Sequence, residues 1–419
     1  MVGRWQSVPL SKACKTIYRY PSFYGLERHD QGVPVVRGEH LLPNGTISTD
    51  FEDYWFVTEE CSSRFPKTRL ELHDVAMSVR GSIGTFARVG TAHVGAQISP
   101  NLIRLSPDPQ VVDPVFFYYA LMDSAAGAFI ASTSSSSAVP AIRAADIKLA
   151  MIPVPPLPDQ RAIAHILSAF DDKIELNLRL NETLEVMARA LFKSWFIDFD
   201  PVRAKAEGRD PGLPADIATL FPDSFEDSEL GEIPKGWKTG LVEDLAEASS
   251  GKRPGVRYPE ASVLASVPLW GGNGPMAFVP EALIDYPFLL TGRVGTLGSV
   301  FRITEPCWPS DNTLILKTKQ RRAFEYLFLQ LKRVDFMALN RGSTQPLLTQ
   351  TDLKAQPLLT PPTAVLEYFH VFAGSLYEQI DELESEVRTL AAVRDTLLPK
   401  LLSGELRVKG VDQSMEAHV

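Results

Sequence analysis

The sequence is poor in cysteine, and the three it has, Cys14, Cys61 and Cys307, are far apart among 419 residues. An odd, scattered set argues against a disulfide framework or a zinc site and fits a reducing compartment. No run of about 18 apolar residues occurs, so no membrane span is expected. The opening Met1-Val2-Gly3-Arg4-Trp5 lacks the basic-then-apolar layout of a signal peptide. Catalytic motifs are missing too. Gly251-Lys252 lacks the upstream glycine of a phosphate-binding loop, with Ala246 in its place. The seven histidines form no His-Glu-x-x-His and no Cys/His ligand pair. There is no Asn-Pro-Pro-aromatic motif of an amino-methyltransferase and no nuclease-like Pro-Asp followed by Glu-x-Lys. Gly272-Asn273-Gly274 reads as a turn. These absences point to a protein without a catalytic centre, metal or cofactor of its own.

A basic excess is also lacking, since the formal net charge is -9. The acidity is local. Residues 1–157 hold 14 basic and 14 acidic residues, and residues 232–362 hold 15 and 12. The deficit falls in 158–231, with 8 and 15, and in 363–419, with 5 and 10. An anionic partner is therefore compatible with the two larger segments.

What the chain does have is an internal repeat. Pro140, Asp146, Lys148, Pro155, Pro156, Ile174, Leu184 and Leu191 recur 206 positions later as Pro346, Asp352, Lys354, Pro361, Pro362, Ile380, Leu390 and Leu397. Trp5 answers to Trp237, and Val33–Gly38 to Val267–Gly272. Val79-Arg80-Gly81-Ser82-Ile83-Gly84-Thr85 is matched to Leu290-Thr291-Gly292-Arg293-Val294-Gly295-Thr296. Short β-branched runs broken by Gly and Pro (Val33–Val36, Leu102–Leu105, Ser299–Ile303, Thr313–Leu316) predict strands. The aromatic segments Phe116–Leu121 and Phe324–Leu329 predict short helices belonging to the core. Each copy ends in a Pro-rich stop and then a long helix. Ile380, Leu383, Val387, Leu390, Leu397 and Leu401 give the second helix a heptad seam interrupted by Arg394. Ile174, Leu184, Ala188, Leu191 and Trp195 form the seam of the first, with Asn177 and Asn181 as polar intruders.

The expected fold is α+β: two tandem domains, each followed by a long helix, the two helices pairing. The expected segments are a first domain over 1–157, a helix over 158–198, an acidic linker over 199–231, a second domain over 232–362, a helix over 363–403 and a tail over 404–419. Two copies of a binder can read two halves of one target.

The run Pro155-Pro156-Leu157-Pro158-Asp159-Gln160-Arg161-Ala162-Ile163-Ala164, then Phe170-Asp171-Asp172-Lys173-Ile174, resembles the specificity subunit of type I restriction–modification systems. So do Ser194–Val202, Glu229–Pro234 and Leu397–Leu406. The resemblance covers essentially the whole chain. It implies two target recognition domains separated by an antiparallel coiled coil and a bipartite double-stranded DNA site. It also implies two modification subunits that methylate adenine with S-adenosylmethionine, restriction subunits that join them, and a bacterial or archaeal cytoplasm. Two rivals stay open at this point: a stand-alone nucleic-acid-modifying enzyme, and a coiled-coil scaffold or adaptor without sequence specificity.

Base reading favours Arg, Asn and Gln, and phosphate contact favours Arg, Lys, Ser and Thr. The candidate DNA contacts are Arg37, Arg80, Ser82, Arg88, Ser135 and Ser136 in the first half. In the second half they are Lys252, Arg253, Arg257, Asn273, Arg293, Asn312, Arg341, Thr344 and Gln345.

Overall fold

The computed structural model describes residues 5–19, 27–80, 83–122, 129, 142–295, 297–342 and 344–408. The chain divides into two compact units, Met1–Asn177 with Ser385–Val419, and Leu178–Glu384. Each unit therefore holds one complete αβ domain and half of each long helix.

In the first unit the strands are β1 (Ser7–Pro9), β2 (Cys14–Arg19), β3 (Val33–Val36), β4 (Phe56–Val57), β5 (Val75–Ser78), β6 (Phe86–Arg88), β7 (Gln97–Ile98), β8 (Leu102–Pro107) and β9 (Met151–Pro153). In the second they are β10 (Phe225–Ser228), β11 (Gly231–Pro234), β12 (Lys238–Leu241), β13 (Ala246–Ser250), β14 (Val267–Gly271), β15 (Gly274–Val279), β16 (Phe288–Gly292), β17 (Val300–Ile303), β18 (Trp308–Pro309), β19 (Thr313–Thr318) and β20 (Pro357–Thr360). The repeat is now visible as topology. The sheet β2-β8-β5-β6 has the order of β13-β19-β16-β17, β4-β3-β7 that of β15-β14-β18, and β1-β9 that of β12-β20. In both three-stranded sheets the central strand pairs antiparallel with one neighbour and parallel with the other.

The ladders correct one match made from sequence. Val75–Ser78 pairs with Leu105–Leu102, and Leu289–Gly292 with Leu316–Thr313. Val75 is therefore equivalent to Leu289, an offset of 214 rather than 211. In this register the sequence Gly81-Ser82-Ile83-Gly84-Thr85 aligns with Gly295-Thr296-Leu297-Gly298-Ser299, and both glycines are kept. Gly84 and Gly298 both take left-handed backbone, at φ 81° and 105°, where a side chain would be strained. Arg293 is thus equivalent to Val79, and Arg80 to Val294.

The aromatic segments are helical, Pro114–Met122 and Phe324–Leu331, and buried as expected. Asp113 caps the first, its carboxylate accepting from the backbone N–H groups of Val115 and Phe116. Gln160, fully buried at the start of the first long helix, accepts from Asp113 N and donates to the carbonyls of Pro155 and Val111. That gives the Pro-Pro-Leu-Pro-Asp-Gln run a structural role: it locks the helix start onto the domain.

The long helices span Leu157–Phe196 and Thr363–Ser403. In the first unit Asp171 pairs with Arg394 at 2.6 Å and Asn177 donates to Glu386 at 2.8 Å, which sets the helices antiparallel. Arg394, the break in the heptads, is satisfied by Asp171, whose other oxygen accepts from Tyr119. Ile174 is buried there, with Val387, Leu390 and Leu397 half-buried. In the second unit Ala188, Phe192 and Trp195 share one core with Phe369, Tyr377 and Ile380; Leu184 and Leu191 pack on its edge and Leu383 is half-buried.

The segment expected as a linker, 199–231, is folded. Helices Asp200–Ala206 and Ala215–Ala218 and strand β10 occupy it. Phe199, Val202, Ile217 and Phe221 are buried in the core of the second unit, so the apolar residues among its acidic ones decide its fate. Cys14, Cys61 and Cys307 are free thiols. No helix among the described residues is long and apolar enough to cross a membrane.

Candidate nucleic-acid interface

In the second unit a cleft of about 350 Å³ is lined by Arg253, Pro254, Gly255, Arg257, Leu269, Met276, Ser310, Asp311 and Asn312. It gathers three of the candidate contacts, Arg253, Arg257 and Asn312, all exposed. Lys252 sits beside it, its carbonyl accepting from the Trp308 indole N–H at 2.7 Å. None of Lys252, Arg253 and Arg257 forms an ion pair among the described residues. Arg293 adjoins the same wall, since its backbone N–H donates to Asn312 O at 2.8 Å. Its Nε is buried without a hydrogen-bond partner among the described residues. The loop carrying Thr344 and Gln345 lies against the same turn: Gly295 N donates to Pro346 O and Leu348 N to Arg293 O. Asn273 is exposed in the tight turn between β14 and β15.

Other candidates are held by the scaffold. Arg341 is bound by both nitrogens of its fork to Asp352, which raises the guanidinium pKa and lowers that of the carboxyl. Arg37 donates to Asp53 O at 2.6 Å and pairs with Glu39, closing a short 3-10 turn with His40. Arg88 is half-buried beneath the aromatic helix, and its charge acts on Tyr118 and Tyr119. Its ladder equivalent Arg302 is buried and pairs with Asp381 of the second long helix at 2.6 Å. Arg302 is not among the residues that line the cleft. Ser82, Ser135 and Ser136 lie outside the described residues.

The first unit repeats the geometry around the cleft. Ser99 N donates to Val36 O, and Val79 N to Asn101 O; in the second unit Ser310 N donates to Trp270 O, and Arg293 N to Asn312 O. A Ser-x-Asn turn, Ser99-Pro100-Asn101 or Ser310-Asp311-Asn312, thus enters the central strand of each four-stranded sheet. Arg19 donates from Nε to Pro100 O, and burial and the nearby Arg80 charge lower its pKa, placing two cations at this turn. Arg19, Ser99, Asn101, Ser310 and Asp311 were not picked from sequence. The repeated Ser-x-Asn could have revealed them had the two copies been aligned there.

The sequence matches the Type I restriction modification DNA specificity domain family over residues 5–186 and 234–365. It is 28% identical over 384 residues to the type I restriction enzyme MjaIX specificity subunit of Methanocaldococcus jannaschii, covering 84% of this chain and 81% of that protein. It is 25% identical over 382 residues to the HindI specificity subunit of Haemophilus influenzae, covering 74% and 81%. The fold is like that of the type I restriction–modification S subunit from M. genitalium, with a TM-score of 0.63, 17% identity, and 95% and 96% of the two chains covered. With its doubled αβ topology and paired helices, the chain belongs to the family of type I restriction–modification DNA specificity subunits.

Proposed function

We propose that this protein reads a bipartite, asymmetric double-stranded DNA site, one half with each domain. Two methyltransferase subunits, carrying S-adenosylmethionine, attach to it and methylate adenine at that site. Restriction subunits join the same assembly, which works in the cytoplasm. The observation that carries this reading is one strand topology built twice with different residues on the loops. A shared scaffold with different loops is what two different half-sites require. Arginines at the Ser-x-Asn turns, with Arg253 and Arg257 of the second free of ion pairs among the described residues, supply phosphate attraction and base-edge donors, while chemistry stays on the partner subunits. The paired helices act as the spacer between half-sites.

The test is to map N6-methyladenine across a genome with and without the gene. A two-part motif that vanishes on deletion is expected. Unchanged methylation would refute the reading. Inserting seven residues into each helix should lengthen the gap of that motif; an unaltered gap would remove the spacer role.

A further inference from the structure

We propose that Asp311 is a specificity-determining residue, accepting a hydrogen bond from the exocyclic amino group of a cytosine or adenine in the half-site read by the second domain. This rests on the DNA-reading function above. Three observations lead to it. First, Asp311 lines the cleft beside Arg253, Arg257 and Asn312, yet forms no ion pair with either arginine. A carboxylate there repels phosphate, whereas cytosine N4 and adenine N6 are the amino donors of the major groove. Second, Ser310 lines the same cleft at 5% exposure, and its hydroxyl is buried with no hydrogen-bond partner among the described residues. Such a group costs free energy until something supplies a partner. Ser99 stands at the equivalent place in the first unit with the same exposure and the same unpartnered hydroxyl. Third, between these repeated serines and the repeated asparagines only the middle residue changes kind, Pro100 against Asp311. The scaffold repeats and its variable position carries the acceptor. Leu269, buried, and Met276, exposed, also line the cleft.

The experiment assembles the full chain with its methyltransferase subunits and S-adenosylmethionine on a plasmid library of random duplex inserts, then reads methylated sites. For Asp311→Ala, discrimination should fall about tenfold at one base pair of one half-site, and Asp311→Asn, which keeps an amide oxygen as acceptor and adds a donor, should shift the preference at that same base pair towards adenine. The other half-site should be unchanged. Ser310→Ala should weaken DNA binding while leaving the melting temperature of the free protein equal or higher. A wild-type motif in both Asp311 variants would overturn the proposal, as would a uniform loss of methylation with the motif intact. A wild-type complex with no motif at all would instead overturn the function on which it rests.

Discussion

The two domains share their ladders but solve the interior of one sheet differently. In the first, Arg104 and Asp74 are 3% and 1% exposed and pair at 2.5 Å, with Glu71 and Lys15 extending the network outward. At the equivalent places in the second stand Ile315 and Phe288, 3% and 0% exposed, within an apolar cluster with Ile284, Leu290, Ile303 and Cys307. The same backbone therefore accepts either a buried ion pair or hydrocarbon. A buried pair need not add net stability over an apolar pair, because desolvating both charges offsets their attraction. Topology in this fold is set by strand pairing and burial, and the chemistry of the contact is free to differ.

The largest expected effect breaks that contrast. Arg104→Ala strands Asp74 without its partner and should cost about 3–5 kcal/mol in urea unfolding. Arg104→Ile with Asp74→Phe, copying the second domain, should recover most of it. If the double variant is as unstable as the single, the two interiors are not interchangeable.

A second contrast lies in pH. His40, His73 and His93 of the first domain are held below the usual imidazole range, chiefly by burial, aided at His40 by Arg37 and at His73 by Arg88. The unfolded chain then takes up protons before the folded one as pH falls below the ordinary value of 6.5. Stability from these groups is present above that value and is lost as pH falls through the depressed native pKa values. Amide protection factors, each taken relative to the intrinsic exchange rate at its own pH and compared at about pH 7.5 and pH 5.5, should fall more in residues 33–105 than in 267–318. An equal fall would discount the histidines.

The smallest effect separates cations on the second domain. Arg293→Ala should weaken DNA binding about tenfold with little change in melting. Arg341→Ala, which removes the largely exposed partner of Asp352 while Thr349 still donates to that carboxylate, should leave both close to wild type. Equal losses of affinity would show that both arginines touch DNA.

Much of this was legible in the sequence. The strands at Val33–Val36 and Thr313–Thr318, the buried aromatic helices and the long helices follow from β-branched runs, Pro stops and heptads. The register of the Gly-rich turn was not legible, because three residues of slip cost nothing in sequence, whereas hydrogen-bonded ladders admit one pairing. Residues 199–231 were misleading for a different reason: acidic, Pro-rich composition describes their surface, while Phe199, Val202, Ile217 and Phe221 decide their packing. The Ser-x-Asn cleft is assembled from segments far apart in the chain, Arg253 to Asn312, which only the fold brings together.

The sharing of both long helices between the two units has a consequence for biosynthesis. The second unit, Leu178–Glu384, is one continuous stretch, whereas the first is closed only by Ser385–Val419. Leu401 and Leu402 belong to its core, and Trp5 donates its indole N–H to Leu401 O. On the ribosome the first domain to be made is therefore the last to be finished. Until Leu401 and Leu402 emerge, the core that holds Leu10, Ile163 and Leu167 is incomplete, and the usual order in which domains mature from the N-terminus is reversed.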